Sequence, residues 1–270
     1  MATLPNPLPT LATDPSGRSL GLSLPPGTLI DVTDEGFWHE PLLWHASQPA
    51  TPGDWTALQG ARTAGLLPLL MDVGGGQGGP EAWELMPGDT SYPGDHDPEE
   101  VLSEHWEDNE DNEDNEDNED DEWPGLAPEP RAVTPAPDPD ALATEIADHL
   151  LTDGSWLKEP RVALVPARRS ADIPAAIGWP GPVNHEGDVA RLSAVLRSWE
   201  DRFGVRVVAL AFDQLILSVA APPGTRDEAR AVAAEHYAFC PDNVDQGGTP
   251  SLDAYAEQLI DQEIWSFWWD

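Results

Sequence analysis

The sequence is poor in cysteine and in positive charge. Its 270 residues contain a single cysteine, Cys240, which excludes an intramolecular disulfide framework and a metal site of four cysteines. Only 13 basic residues, among them the single lysine Lys158, stand against 50 acidic ones, and the formal net charge is -37. Non-specific binding to nucleic acid or to an anionic membrane depends on clustered lysine and arginine. We therefore expect neither nucleic acid nor a membrane among its partners.

Long apolar runs are also absent. No run approaches the roughly 20 residues that a membrane-spanning helix requires. Residues 1–20 lack the positively charged start and the apolar centre of a secretory signal peptide. They are rich in proline, threonine and serine without periodicity. We expect a cytoplasmic protein in which residues 1–20 form a disordered tail.

The strongest positive pattern lies in residues 187–221. Apolar residues first recur on one helical face and stop before Gly204, a residue type that commonly ends helices. The segments Val205–Ala211 and Leu215–Ala221 then have the composition of two strands joined by a tight turn. This stretch therefore predicts a helix followed by an antiparallel β-hairpin.

Other elements surround this stretch. Thr225 and Glu228 have the spacing of a capping box, so a helix begins there, and Pro241 ends it. Further predicted elements are a helix at Ala141–Leu151, a strand at Arg161–Val165, a helix at Leu252–Ile260 and an aromatic strand at Ile264–Asp270. The order of these elements predicts an α+β fold, a mainly antiparallel sheet with helices packed on one side of it.

Composition divides the chain into four regions. Between the tail and the acidic segment, residues 21–86 predict a smaller N-terminal αβ lobe that ends with a buried strand at Leu66–Val73. Pro68 within that strand suggests an edge strand or a bulge. Residues 87–140 are predicted to be a disordered acidic linker, and residues 141–270 a C-terminal α+β domain.

The centre of the predicted linker is a repeat of Glu, Asp and Asn from Glu107 to Glu122. Its like charges repel one another, and it has no apolar residue that could offset the entropy cost of ordering. Loose divalent-cation binding is the alternative to a solvated spacer, although the glycine and flanking helices of an EF-hand are missing. Gly74–Gly79 matches a dinucleotide fingerprint, but Pro80 and Pro87 leave too little room for the helix it needs, so we predict a plain loop and no cofactor.

Five ordered blocks carry a resemblance to a known family. They are Gly178–His185 (GWPGPVNH), Leu192–Val208, Phe212–Pro223, Ala233–Asn243 (AAEHYAFCPDN) and Trp265–Asp270 (WSFWWD). Together they resemble a bacterial family, common in actinobacteria, known as domain of unknown function 4253. The resemblance covers roughly residues 161–270 and implies no established activity. The acidic repeat looks like an insertion outside the shared domain.

The candidate catalytic residues are His236, Cys240 and Asp242. His236 and Cys240 are four residues apart, so a helix places both on one face, where an imidazole base can activate a thiolate nucleophile or both can bind a metal. The alternative is that both are core residues, because free cysteine is among the most buried residue types. We favour packing and predict no metal.

The candidate binding residues are Asn184, His185, Arg197, Asn243 and Trp268. Asn184 and His185 precede the helix in residues 187–203, where a polar residue is needed as a cap whether or not a ligand binds. His185 could also join His236 and Asp242 as a metal or acid/base group if the loops meet.

Arg197 and Trp268 belong to two candidate surfaces. Arg197 lies on an arginine-rich helix that either forms ordinary surface pairs, such as one with Asp201, or is covered by the acidic repeat. Trp268 points away from the face shared by Trp265 and Phe267, and tryptophan is enriched at interface hot spots.

Two functions remain open. The favoured one is a cytosolic binding or regulatory module that presents an acidic, tryptophan-bearing surface to another protein, as an immunity protein does when it neutralises a basic toxin. The alternative is a small hydrolase or transferase that uses His236 and Cys240. The sequence spells out no complete set of nucleophile, base and oxyanion donors, so we prefer the binding module.

Overall fold

The computed structural model describes residues 5–110, 122–130, 137–152, 154–249 and 251–270. The strands in these residues are β1 Gly27–Ile30, β2 Val32–Thr33, β3 Gly36–Phe37, β4 Leu43–Ala46, β5 Leu66–Asp72, β6 Pro160–Pro166, β7 Val205–Leu210, β8 Gln214–Val219 and β9 Ile264–Trp268. Seven of them form one sheet in the order β1-β4-β6-β5-β7-β8-β9, and β2 and β3 form a separate hairpin. Only β5 and β7 pair in parallel. The predicted α+β class and mainly antiparallel sheet are confirmed.

Helices connect these strands. The α-helices are α1 Pro9–Thr13, α2 Asp54–Leu58, α3 Pro98–Glu110, α4 Pro139–Leu150, α5 Ile173–Ile177, α6 Val189–Phe203, α7 Arg226–Phe239, α8 Asp242–Asp245 and α9 Leu252–Leu259. Short 3-10 helices occur at Arg18–Leu20, Gln59–Ala64, Pro80–Ala82, Pro93–Asp95 and Ser170–Asp172. In the described part of the chain no helix has the length and apolar character needed to cross a bilayer.

The sheet has helices on both faces. One core contains residues of α3, α6, α7 and α9, and the other contains residues of α1, α2 and α4. Neighbouring residues of β5, such as Leu69 and Leu70, belong to different cores. The expectation of helices on one side only is wrong, because strands that are apolar on both faces need cover on both.

The predicted helix and hairpin are confirmed. Asp188 caps α6 by accepting a hydrogen bond from the Ala190 amide, and Gly204 ends the helix at a φ of 64°. Strands β7 and β8 then pair antiparallel, with a register shift between Val207 and Ala209. The predicted Thr225 capping box is present at the start of α7.

The sheet is not divided at the predicted boundary near residue 140. Strand β6, from the C-terminal part, lies between β4 and β5, which both come from the predicted N-terminal lobe. Residues Leu66–Asp72 pair along their whole length with Pro160–Pro166. Pro68 therefore lies in an interior strand, not at the predicted edge or bulge, and pairing of β5 with β7 begins only at Leu70.

Part of the predicted linker is ordered. Helix α3 buries Val101, Leu102 and Trp106, which precede the bulk of the repeat and share one helical face. Trp106 packs against Tyr237 of α7, with ring centres 5.7 Å apart. The disordered-linker prediction is therefore wrong over residues 98–110, and residues 111–121, with most of the repeat, lie outside the described residues.

The predicted tail is also partly ordered. Leu8 and Leu11 are buried in the core that contains α2 and α4. The amide of Leu8 donates to the Asn6 side chain, which in turn donates to the Pro41 carbonyl. The prediction of disorder is wrong for residues 5–20, because two apolar residues one helical turn apart anchor them; residues 1–4 lie outside the described residues.

A buried ion pair connects the helices of the larger core. Glu235 of α7 has no solvent exposure and receives two hydrogen bonds of 2.7 Å from the Arg202 guanidinium. It also accepts a hydrogen bond from the Trp199 indole at 2.6 Å and one from the Ala127 amide at 2.5 Å. Four donors therefore satisfy one buried carboxylate, as a buried charge requires.

Replacing Arg202 should destabilise the fold strongly. Arg202→Met leaves Glu235 buried without its cation, and we expect a loss of about 3–5 kcal/mol in the free energy of unfolding. The control is Arg230→Met: Arg230 makes the same paired contact with Asp253, but both side chains are about half exposed. We expect less than about 1 kcal/mol there. Urea unfolding measures both, and equal losses would contradict the role assigned to burial.

Candidate functional site

His236, the proposed base, lies inside the aromatic core. Its ring is fully buried, with centres 4.5 Å from the Trp265 ring and 4.8 Å from the Phe267 ring. Nδ1 lies 3.0 Å from the Tyr255 hydroxyl, and Nε2 has no hydrogen-bond partner among the described residues. Burial lowers the pKa of His236 to about 3. The ring is therefore a neutral packing element at physiological pH.

Cys240, the proposed nucleophile, is also fully buried. Its thiol donates to the Trp268 carbonyl at 3.0 Å and lies 3.6 Å from the Asn243 amide oxygen. Burial raises the pKa of Cys240 well above its ordinary value. No hydrogen bond joins the thiol to the His236 ring within the residues described. The catalytic role stays a prediction, and this geometry favours the core interpretation.

Asp242 and Asn243 tie α8 to the C-terminal strand. The Asn243 amide nitrogen donates to the Ser266 carbonyl at 2.6 Å, and its oxygen accepts from the Trp268 amide at 3.3 Å. Asp242 accepts from the Asp270 amide at 3.0 Å. Cys240, Asp242 and Asn243 are thus brought together, as their spacing predicted, but their hydrogen bonds hold the backbone of β9 and of Asp270.

Asn184 and His185 contact two different segments. Asn184 donates to the Asp270 carbonyl at 2.9 Å, whereas His185 Nε2 lies 3.1 Å from the Ala238 carbonyl oxygen. Burial, together with the nearby His105, lowers the pKa of His185 to about 4. His185 and His236 therefore have different hydrogen-bond partners. Across the described ranges, no three His, Cys, Asp or Glu side chains converge in a way that could hold a metal ion.

A buried charge network in front of α6 was not predicted. His105 Nε2 lies 3.0 Å from a Glu186 carboxylate oxygen, which also accepts from Arg191 at 2.6 Å. Burial raises the pKa of Glu186, but the His105 contact, the Asp188 amide and the Arg191 charge together lower it to about 2. Sequence reasoning missed this network because His105 lies in the predicted linker. The apolar face of α3 was the pattern that could have indicated an ordered helix there.

Arg197 lines an open cleft of about 540 Å³. Its Nε donates to Asp172 at 2.5 Å, and its guanidinium carbon lies 5.0 Å from the centre of the Tyr92 ring. The predicted helix pair with Asp201 is wrong, because Asp201 accepts from Arg169 instead. Asp172 and Tyr92 were missed, since nothing in their local sequence connects them with Arg197.

The arginines of α6 already have carboxylate partners. Arg191 pairs with Glu104 and Glu186, Arg197 with Asp172, and Arg202 with Glu235. Glu104 belongs to α3, directly before the repeat. Whether the repeat itself covers this helix lies outside the described residues. Ordinary ion pairs are thus sufficient to explain the arginine-rich sequence of α6.

The two faces of β9 differ as predicted. Trp265, Phe267 and Trp269 are buried in the larger core, whereas Trp268 on the opposite face is half-buried. Ile264, on the same face as Trp268, packs against the second core. A partner-binding role for Trp268 stays a prediction.

Acid should destabilise the protein through His236. Below about pH 6.5 the unfolded chain binds a proton at this histidine, but the folded chain does not until about pH 3. Stability therefore falls by about 1.4 kcal/mol for each pH unit within that window. His236→Phe should remove this loss, at a cost of about 1 kcal/mol at pH 7 from the missing Tyr255 hydrogen bond.

Urea unfolding at pH 7 and pH 5 tests the prediction. His185 adds acid sensitivity of the same sign down to about pH 4, so the expected result is a smaller drop in the variant than in the parent. His149→Gln, an exposed substitution on α4, is the control. An identical drop in the parent and in His236→Phe would contradict the assignment.

Cys240 should be chemically inert in the folded protein. A buried thiol that donates a hydrogen bond presents little thiolate, so iodoacetamide should label the native protein on the order of 100-fold more slowly than the urea-unfolded chain. Mass spectrometry of timed samples measures both rates. Equal rates would show an accessible thiolate and would favour the enzyme alternative.

Comparison with known proteins places the C-terminal part of the chain in a family. Residues 161–270 match the family model described as "Domain of unknown function (DUF4253)", which confirms the predicted resemblance to a family of domains of unknown function. No curated protein and no solved structure matches the chain. The match contains β6 to β9 but not β1, β4 or β5 of the same sheet. The similarity to this family of domains of unknown function therefore covers residues 161–270.

Proposed function

We propose that this protein is a non-catalytic binding module of the cytoplasm that engages a basic protein partner through the β2–β3 hairpin. One observation carries the proposal: Phe37, at the end of this hairpin, is 87% exposed. Exposed single apolar residues are common on protein surfaces. Phe37 differs for two reasons. Hydrogen bonds fix the backbone of its hairpin, and exposed acidic residues lie near it in the sequence.

The hairpin is a fixed projection. The Thr33 hydroxyl donates to the Gly36 carbonyl at 2.9 Å, and the Asp34 amide donates to the Leu85 carbonyl at 3.1 Å. Trp38, the residue after Phe37, packs against the larger core. A backbone fixed in this way has little conformational entropy to lose on binding, which favours affinity.

Acidic residues lie close to Phe37 in the sequence. Asp34, Glu35 and Glu40 are all exposed on or beside the hairpin, and the whole chain carries a net charge of -37. Interfaces commonly have an aromatic centre and a polar rim. A negative rim raises the rate of association with a positively charged partner and disfavours acidic partners. Neutralisation of a basic effector, as by an immunity protein, is the concrete form of this function.

The burial of the candidate catalytic pair supports a binding role over an enzymatic one. Cys240 and His236 are both fully buried, and each makes hydrogen bonds that stabilise the core. A hydrolase or transferase at this pair would require both groups to reach a substrate. Phe37 on the hairpin is already exposed, so a partner can bind there without rearrangement of the fold. The lone cysteine suits the reducing cytoplasm in which the proposal places the protein.

The test is capture of partners by the full chain carrying Phe37→Ser. We expect the parent to retain a protein of basic isoelectric point from lysate of the native cell, and the captured protein to be released by salt. After purification of that protein, Phe37→Ser should weaken its binding by about tenfold or more.

Trp156→Ser is the matched control. Trp156 is 48% exposed and lies outside the hairpin, so its loss should leave the affinity unchanged. Circular dichroism verifies that both variants are folded. Retention of an acidic partner, or equal affinities for the parent and Phe37→Ser, would contradict the proposal.

A further inference from the structure

We infer that the outer edge of strand β1 binds an extended, positively charged segment of another protein as an additional strand of the sheet. Strand β1 is the first in the order β1-β4-β6-β5-β7-β8-β9, so it has a neighbour, β4, on one side only. An edge strand presents backbone N–H and C=O groups with which a further strand can pair. This surface consists of the backbone of β1 and goes beyond the function proposed for Phe37.

Hydrogen bonds beside β4 show which backbone groups of β1 point outward. The Pro26 carbonyl, just before β1, and the Ile30 carbonyl, at its end, accept hydrogen bonds of 2.8 and 2.7 Å from amides on either side of β4. Backbone groups alternate in direction along a strand. Thr28 therefore faces β4 as well, whereas the N–H and C=O groups of Gly27 and Leu29 face away from it. These four groups are the β1 edge.

The β1 edge is open to an approaching backbone. Gly27 and Thr28 are exposed, and Leu29 is half-buried. Across the described ranges, no loop and no side chain makes a hydrogen bond with the backbone of Gly27 or Leu29. A Cβ added to Gly27 would overlap the Trp44 indole, so glycine is needed there and leaves the outer backbone without a side chain to shield it.

The opposite edge of the sheet is closed by side chains. The Asn243 amide group donates to the Ser266 carbonyl and accepts from the Trp268 amide, and the Cys240 thiol donates to the Trp268 carbonyl. One asparagine thus takes the place of a neighbouring strand along β9. Proteins commonly protect sheet edges in such ways. The contrast between the two edges indicates that β1 is the one at which a further strand can be added.

The charge of the chain determines which strand the β1 edge accepts. Residues 19–61, which contain β1, include five acidic residues and neither lysine nor arginine. A second copy of this chain would bring another net charge of -37, and repulsion between the copies disfavours it. A segment in which lysine alternates with β-branched residues favours both the extended backbone and the charge attraction. The occupant is therefore a basic segment of a different protein.

The probe for the test is a blocked seven-residue peptide in which lysine alternates with threonine and valine. It is titrated into the isotopically labelled full chain at low salt, and amide hydrogen exchange is followed by NMR. The outward amides of Gly27 and Leu29 should exchange about tenfold more slowly, or slower still, at saturation. The amides of Thr28 and Ile30, which face β4, should change little.

Two control peptides separate backbone pairing from charge. N-methylation of two adjacent central residues removes one N–H from each edge of the peptide and leaves its charge intact, and it should abolish the protection. Replacement of every lysine by glutamate should abolish it as well. Equal protection by either control peptide would overturn the proposal. So would slow exchange at Gly27 and Leu29 that depends on protein concentration without peptide, because a second copy would then occupy the edge.

A pair of variants tests the same edge from the protein side. Leu29→Pro removes one outward N–H, and proline is tolerated in an edge strand where its nitrogen faces solvent. It should weaken peptide binding by about tenfold or more. Leu29→Val, which keeps the N–H, is the matched control and should bind as the parent does. Equal affinities of the two variants, with native circular dichroism, would overturn the proposal; if Leu29→Pro does not fold, the N-methylated peptide decides. Neither test uses Phe37, so failure here is distinct from failure of the hairpin proposal.

Discussion

A carboxylate without contact with water determines how the helices of the larger core are arranged. Glu235 must be surrounded by donors, and these come from three places: Arg202 and Trp199 of α6, and the backbone of Ala127. Arg202 also donates to the Ala127 carbonyl. The backbone of the segment 122–130 therefore replaces water as a hydrogen-bond partner of the buried ion pair. Since a buried charge left unpaired is costly, this segment belongs to the fold although its sequence has no regular pattern.

The aromatic layer around His236 explains why this ring is neutral, although its spacing from Cys240 is that of a catalytic pair. Trp199, Trp265 and Phe267 enclose the imidazole, and a low-dielectric enclosure favours the neutral form. Residues with i,i+4 spacing share one helical face, but that face can point into a core or into a cleft. In α7 it points into the core, where the His236 ring bonds to Tyr255 of α9 and the Cys240 thiol bonds to the backbone of β9.

Local patterns predicted local structure well in this chain. The helix before Gly204, the hairpin after it and the Thr225 cap all involve residues close in sequence, so their spacing was sufficient. The insertion of β6 between β4 and β5 pairs residues about 100 positions apart, and no local pattern encodes such a choice. The predicted partner of Arg197 was wrong for the same reason. Asp201 is close to Arg197 in the sequence, but Asp172 is its ion-pair partner in the structure. The acidity of the repeat also concealed the apolar face of α3 beside it.

The acidic surplus determines the sign of the charge that the protein presents to a partner. The ion pairs between described residues include nine arginines: Arg62, Arg161, Arg169, Arg191, Arg197, Arg202, Arg206, Arg226 and Arg230. Most positive charge is thus used within the protein, and the remaining carboxylates set the sign of the surface potential. At the hairpin this potential adds to the local charges.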